Sequence, residues 1–300
     1  MEGRRMAATL ALGIDVGGTR IAFGLVGPDG STRAVEVHAL IGRGDAVVDQ
    51  LVAVARTRLA LHDVTHVGVA VPGPVDATAG LVLSALTLGW RELPLADRLR
   101  TALGRDVLLS NDGHAAAWAE HRFGAGRGRD TVLVSVGTGI GGGAVLAGRV
   151  VEGHRALGGG WGHLPLVAGG RACTCGAAGC WEQYASGTAL ITEARRSWNA
   201  RTTCGEQVLA AAENGDRRAA EVVTTVSGHL AHGLTILGAC LGPHEIVLGG
   251  ELGCDPRLAR HVRHALADRG THPTRTAVTT TPAELGTRAG LVGAADLARA

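Results

Sequence analysis

LALGIDVGGTRIAFGLV occupies residues 10–26. Two apolar, β-branched runs, 10–15 and 20–26, flank Gly17-Gly18-Thr19, a pattern that reads as strand, tight turn, strand. A third run at 32–39 reads as another strand, so the chain opens as an antiparallel meander. The device recurs at 131–147, where runs 131–136 and 142–147 flank Gly137-Thr138-Gly139-Ile140-Gly141. Each half of the chain therefore begins with the same hairpin. Two α/β domains facing one cleft account for this duplication better than one doubly wound sheet.

The intervening residues fill out both halves. Val48, Leu51, Val52, Ala55 and Leu59 have helical spacing and predict a helix over 45–61, followed by a buried strand at 66–71. A helix at 94–103, a strand at 106–110 and a helix at 111–123 complete the first half. The glycine- and arginine-rich link 124–130 marks a boundary. After the second hairpin, the pattern predicts helices at 182–198 and 216–241, a strand at 245–248, a helix at 256–267, a strand at 277–280 and a closing helix from Thr287. The domains expected are 1–123 plus 287–300, and 124–286.

Composition narrows the function. The 300 residues carry a net charge of +2, and all 29 basic residues are arginine, dispersed along the chain. No basic patch points to nucleic acid. The start, MEGRRMAATLALGI, superficially resembles a signal peptide. Its apolar run is short, lacks an A-x-A site and continues straight into Asp15-Val16-Gly17-Gly18, so a first strand is the better reading. No run of about 18 apolar residues is free of charges or glycine clusters, so no membrane span is expected. A cytoplasmic chain keeps its thiols reduced, and there clustered cysteines bind metal more often than they pair.

Three of the six cysteines, Cys173, Cys175 and Cys180, fall within eight residues. With His163 they offer one nitrogen and three sulfurs, a set suited to tetrahedral Zn²⁺ with no position left open, hence a structural site. Gly176 and Gly179 permit the tight turns that such a loop needs. Free thiols in a glycine-rich loop are the alternative. In the first hairpin, Gly17 and Gly18 allow close backbone approach to a ligand, Thr19 adds a hydroxyl, and Asp15 can hold a water of Mg²⁺. A plain hairpin turn explains the same residues. The pairing of this loop with Gly137-Thr138-Gly139, and a third glycine pair, Gly249-Gly250, closing an apolar strand, favour a grip on a nucleotide's phosphates and adenosine end. None matches the dinucleotide fingerprint, because Gly-Gly-Thr joins strand to strand. Asn111 reads as an N-cap, which puts Asp112 in the first helical turn, where the helix dipole alone suffices to stabilise it.

Together DVGGTR, VPGPVD, SNDGHAAAWAE, GTGIGGG, CTCGAAGCWE, VLGGEL and ELGTRAGLVGAADLA resemble, in order and over almost the whole chain, the ROK family of sugar kinases and related repressors. The resemblance implies an α/β, actin-like (ribonuclease H-type) two-domain ATPase fold with ATP and sugar in a central cleft. It makes Asp112 the catalytic base and gives sugar contacts to Gly73, Asn111, Asp112, His163 and Glu182. The ATP site falls to Asp15, Gly17, Gly18, Thr19, Gly137, Thr138, Gly139, Gly249 and Gly250. His163 would bind zinc through one ring nitrogen and present the other to the sugar. Small-molecule sugar and ATP are then the partners, with Mg²⁺ and structural Zn²⁺ as cofactors, no nucleic acid, no membrane, and a homodimer or larger homo-oligomer expected.

Two positions depart from the family pattern. The usual Gly-Glu-x-Gly-His reads Gly159-Gly160-Trp161-Gly162-His163, and Thr87 stands where asparagine is common. The lost acceptor falls at C2 or C3 of the sugar by family analogy. It favours a modified hexose such as the amino sugar kanosamine, with plain glucose as the alternative. Repressor relatives carry a helix-turn-helix domain ahead of the first loop, whereas fourteen residues precede Asp15 here, so a 6-kinase is expected over a regulator. A sugar-binding protein without turnover is the other rival.

Overall fold

The computed structural model describes residues 9–268 and 278–300. Residues 1–8 of the signal-like start, and residue 277 of the last predicted strand, lie outside these. The described residues form two compact units. The first runs up to Ala119 and takes in Glu152–Gly158 and Arg288–Ala300; the second comprises Glu120–Val151 and Gly159–Thr287.

In the first unit β1 (Leu10–Val16), β2 (Arg20–Val26), β3 (Thr32–Ala39), β4 (Val64–Val71) and β8 (Val107–Asn111) form a sheet in the order β3-β2-β1-β4-β8. The three hairpin-linked strands are antiparallel, while β4 and β8 add in parallel. Helix α1 (Asp45–Leu61) buries Val47, Val48, Leu51 and Ala55 in a core with Leu12, Ile14 and Phe23. Helix α10 (Ala289–Leu297) packs on β1, β2 and β4. Its approach is close: a Cβ on Gly13 would stand 2.2 Å from the Leu291 carbonyl oxygen, and one on Gly68 would stand 1.8 Å from that of Ala294. Helix α2 (Leu95–Leu103) ends on Gly104 in the left-handed conformation, the usual stop for such a helix. A small antiparallel sheet of β5 (Val75–Asp76), β6 (Leu81–Ala85) and β7 (Trp90–Leu93) is absent from the sequence reading, because such short strands carry no legible period.

The second unit repeats the plan with β9 (Thr131–Val136), β10 (Ile140–Leu146), β11 (Arg149–Val150), β12 (Glu245–Gly249) and β13 (Thr280–Pro282), ordered β11-β10-β9-β12-β13. Position by position this is the order of the first sheet, with the same antiparallel hairpin and parallel additions. The doubled ribonuclease H-type sheet is that of the expected actin-like fold. The last strand pairs Thr280 with Ile246 and reaches Pro282, later than the predicted 277–280. Proline is tolerated there because β13 is an edge strand.

The helix predicted over 182–198 is two helices, α4 (Glu182–Ala185) and α5 (Gly187–Ser197). Ser186 is extended and its hydroxyl accepts from the Ala189 N–H, so it caps α5 and ends α4. Helix α6 (Gly205–Glu213) had no counterpart in the sequence reading. Helix α7 (Arg217–Leu241) is long and apolar enough to cross a membrane by length and composition alone. Val222, Val223, Val226, Leu230, Leu234 and Leu237 bury that apolarity in the core of the second unit, where α7 packs on α6 and α9 (Pro256–Ala267).

Candidate active site

In the first unit the junction of β8 and α3 (Asp112–Phe123) gathers the polar groups. The Asn111 amide donates to the Gly73 carbonyl (3.0 Å) and to Asp112 Oδ1 (3.0 Å), while Asn111 Oδ1 accepts from the His114 N–H (3.1 Å). Asn111 is thus the cap the sequence suggested. Asp112 Oδ1 also accepts from the Gly113 N–H at 2.8 Å. Burial pushes the Asp112 carboxyl above the usual range, against the opposing pull of the hydrogen bonds from Gly113 and Asn111. Asp15, at the end of β1, is pushed up from 3.8 to about 7, first by burial and then by the charge of Asp112, with Arg20 acting the other way. Gly290 of α10 covers it, since a Cβ there would meet Asp15 Oδ2 at 2.5 Å.

Two half-buried carboxylates, both raised by burial and one of them raised further by the charge of the other, suit a divalent cation, which would relieve that cost. Without one, Asp15 has a definite sign of effect. Its native value lies above its ordinary one, so its contribution to stability is fully present below about pH 4 and is lost as pH rises through about 7. Asp15→Asn should therefore raise the melting temperature at pH 8 without added divalent salt, and the gain should shrink toward pH 4. A gain that is flat with pH would show that Asp15 does not carry this charge cost.

The glycine loops are placed at the ends of their hairpins. The Gly17 N–H closes the first turn on the Arg20 carbonyl (2.8 Å), leaving Gly18 and Thr19 exposed. In the second unit the Gly137 N–H bonds the Gly139 carbonyl at 3.0 Å, and Thr138 is exposed. The start of α5 seats against this loop: the Gly187 N–H reaches the Gly137 carbonyl (2.8 Å) and the Thr188 hydroxyl reaches that of Thr138 (2.7 Å). Beside it lies a pocket of about 490 Å³, lined by Gly137, Thr138, Thr188, Cys204, Glu251 and Asp255 among others. Gly249 ends β12, and Gly250, with φ +77°, begins the short helix α8 (Gly250–Gly253) close to the Val136 carbonyl.

His163, Cys173, Cys175 and Cys180 place one ligand atom each within 4.8 Å of one another. Cys175 Sγ is 3.7 Å from Cys180 Sγ, and Cys173 Sγ is 3.7 Å from His163 Nδ1. A tetrahedral zinc with its usual bond lengths requires edges of about 3.8 Å between sulfurs and about 3.6 Å between sulfur and nitrogen, so the set fits Zn²⁺. Burial and the neighbouring thiols push Cys180 up to about 12, whereas the N–H of Ala177 and then Cys173 lower Cys175. Three thiolates need a cation to coexist. The His163 ring turns Nδ1 to the cluster and is half exposed. Glu182 ties the cluster to the glycine loop: Oε1 accepts from Cys173 Sγ at 3.3 Å, and Oε2 would lie 2.8 Å from a Cβ on Gly139. Gly160 is exposed just before the short turn Trp161–His163, and Thr87 is exposed in the turn Leu86–Leu88.

The sequence reading thus named the groups that meet in each unit, but it missed Ser186, Gly187 and Gly290. The Ser-Gly pair inside an apparent helix was a readable break signal. Gly290 had none, because its contact with Asp15 exists only after α10 docks.

The ROK family profile matches residues 11–300. A glucokinase of Streptomyces coelicolor is 32% identical, covering 97% of this chain and 98% of the relative. An N-acetylmannosamine kinase of Yersinia pseudotuberculosis is also 32% identical, covering 96% and 98%. Among solved structures, a ROK glucokinase from Streptomyces griseus in complex with glucose and AMPPNP superposes with a TM-score of 0.84 at 33% identity, covering 97% of this chain and 99% of that one. With the family profile matched over nearly the whole length and relatives of this identity covered almost end to end, the chain belongs to the ROK family.

Proposed function

We propose that the protein is an ATP-dependent hexose kinase that phosphorylates the 6-hydroxyl of a glucopyranose-type sugar, and that the sugar is modified at C2 or C3, as in kanosamine. The observation that carries the reading is Asp112: a carboxylate at the head of α3, raised by burial and held by Asn111, which Gly73 holds in turn. A base so tuned takes the proton of the sugar hydroxyl as its oxygen bonds to the γ-phosphorus and the bond to the ADP oxygen breaks. Asn111 is the sugar contact proposed in the first unit, and His163 and Glu182 are those proposed in the second. The pocket beside Thr138 takes the nucleoside, and the exposed Gly18 and Thr19 of the first unit and Thr138 of the second are the phosphate contacts proposed in each. Asp15 would hold Mg²⁺, which when bound neutralises phosphate charge. His163, Cys173, Cys175 and Cys180 would hold Zn²⁺, and Glu182 passes the order of that cluster to Gly139.

The sugar class rests on Gly160. The glucokinase and the N-acetylmannosamine kinase are equally identical to this chain, so overall similarity favours neither substrate. Gly160→Glu adds a carboxylate acceptor, and one hydrogen bond to a charged group shifts selectivity by roughly tenfold or more. The ratio of kcat/KM for glucose over that for the best sugar of the screen should rise by that factor. An unchanged ratio would make glucose the substrate and Gly160 neutral. The reading as a whole is tested by ADP release with glucose, mannose, N-acetylmannosamine, glucosamine and kanosamine, and no turnover with any of them would overturn it.

A further inference from the structure

His114 follows Asp112 by two residues in α3 and is 1% exposed. Its backbone N–H bonds Asn111 Oδ1, and its ring Nε2 lies 2.8 Å from the Gly158 carbonyl oxygen. A carbonyl only accepts, so Nε2 carries the proton and donates. Burial holds the ring below the usual histidine range, consistent with a neutral imidazole. Gly158 ends the segment Glu152–Gly158, the one stretch after Ala119 and before Arg288 that belongs to the first unit. The segment is closed by the Gly158 N–H on the Glu152 carbonyl (2.8 Å), and its turn His154–Ala156 packs on β5. Arg155 and Ala156 both have positive φ, 53° and 51°. Side chains there strain the backbone, and such a turn persists only where its surroundings hold it.

We propose that His114 is a positioning residue for sugar recognition: its imidazole N–H fixes the Gly158 carbonyl and thereby the start of Gly159-Gly160-Trp161-Gly162-His163. The inference rests on the kinase reading, in which that stretch faces the sugar. One residue then serves two ends. Its backbone steadies Asn111 beside the base, and its ring anchors the chain that leads to His163. The donation to Gly158 separates this from a histidine that merely fills the core, because an apolar side chain of similar size would fill the space and leave the carbonyl unpaired.

The test compares His114→Leu with His114→Gln, whose amide nitrogen reaches about as far as Nε2. For His114→Leu the sugar KM should rise about tenfold or more, the ratio set by a part-buried carbonyl left unpaired, while the KM for ATP stays within about threefold. His114→Gln should restore the sugar KM to within about threefold of wild type. Hydrogen exchange of the amides over 152–163 should quicken in the leucine variant and recover in the glutamine variant, a readout independent of turnover. A parallel rise of both KM values, no rescue by glutamine, or unchanged exchange over 152–163 would overturn the proposal. A wild type inactive on every hexose would instead defeat the kinase reading, and the exchange pattern would still decide the role of His114. If the leucine variant does not fold, the glutamine variant's sugar KM decides, with a rise above about threefold counting against the proposal.

Discussion

Asp112→Asn should lower turnover by at least about 100-fold, the lower end for loss of a general base, while sugar affinity and melting temperature hold. The asparagine is isosteric and its Oδ1 can still accept from the Gly113 N–H, so the start of α3 survives the change. It cannot take a proton from a hydroxyl. The substitution also removes the charge that raises Asp15, so any change in melting temperature should be upward. The measurements are ADP release at saturating sugar and ATP, tryptophan fluorescence titration with sugar, and thermal unfolding. Turnover within tenfold of wild type would remove Asp112 from the mechanism.

The second large effect lies in the second unit. Elemental analysis of the purified chain should find about one zinc, and Cys175→Ser should lose it. Cys175 is exposed at the tip of a turn closed by the Cys173 N–H on the Ala177 carbonyl (2.8 Å) and the Gly176 N–H on the Cys173 carbonyl (3.0 Å), so its thiolate is the ligand a substitution removes with least damage to the backbone. Without the ion, His163 and Glu182 lose their shared support. Sugar affinity should fall by about 100-fold, the upper end for groups that orient a site through a metal. A metal-free chain with full activity would show that these cysteines are thiols and nothing more.

Legibility in the sequence followed the range of the interactions. The bounds of β2, β3, α1, β9 and α9 agree with the reading because turns and caps are local chemistry: Gly17-Gly18 turns the hairpin, and Asp255 caps α9 ahead of Pro256. The cluster of His163 and three cysteines was legible for the same reason, since spacing and ligand type lie within one loop. What failed was apolar spacing read without its punctuation, as at Ser186, and anything made by tertiary approach. The cover of Gly290 over Asp15 and the reach of His114 to Gly158 depend on elements distant in the chain. No local pattern announces either.

The docking of α10 on β1 and β4 also bears on how the protein is made. Gly13 and Gly68 leave backbone-close seats that only residues 289–297 fill. A ribosome therefore delivers the first sheet early but withholds the helix that covers it until the second unit has been made. The strands and helices of the second unit are all synthesised before that helix. Domains generally fold as units during synthesis, and exposed sheet surface invites aggregation meanwhile. The nascent first unit is thus the vulnerable one: its sheet is made first, yet it can be completed only after the second unit has been synthesised.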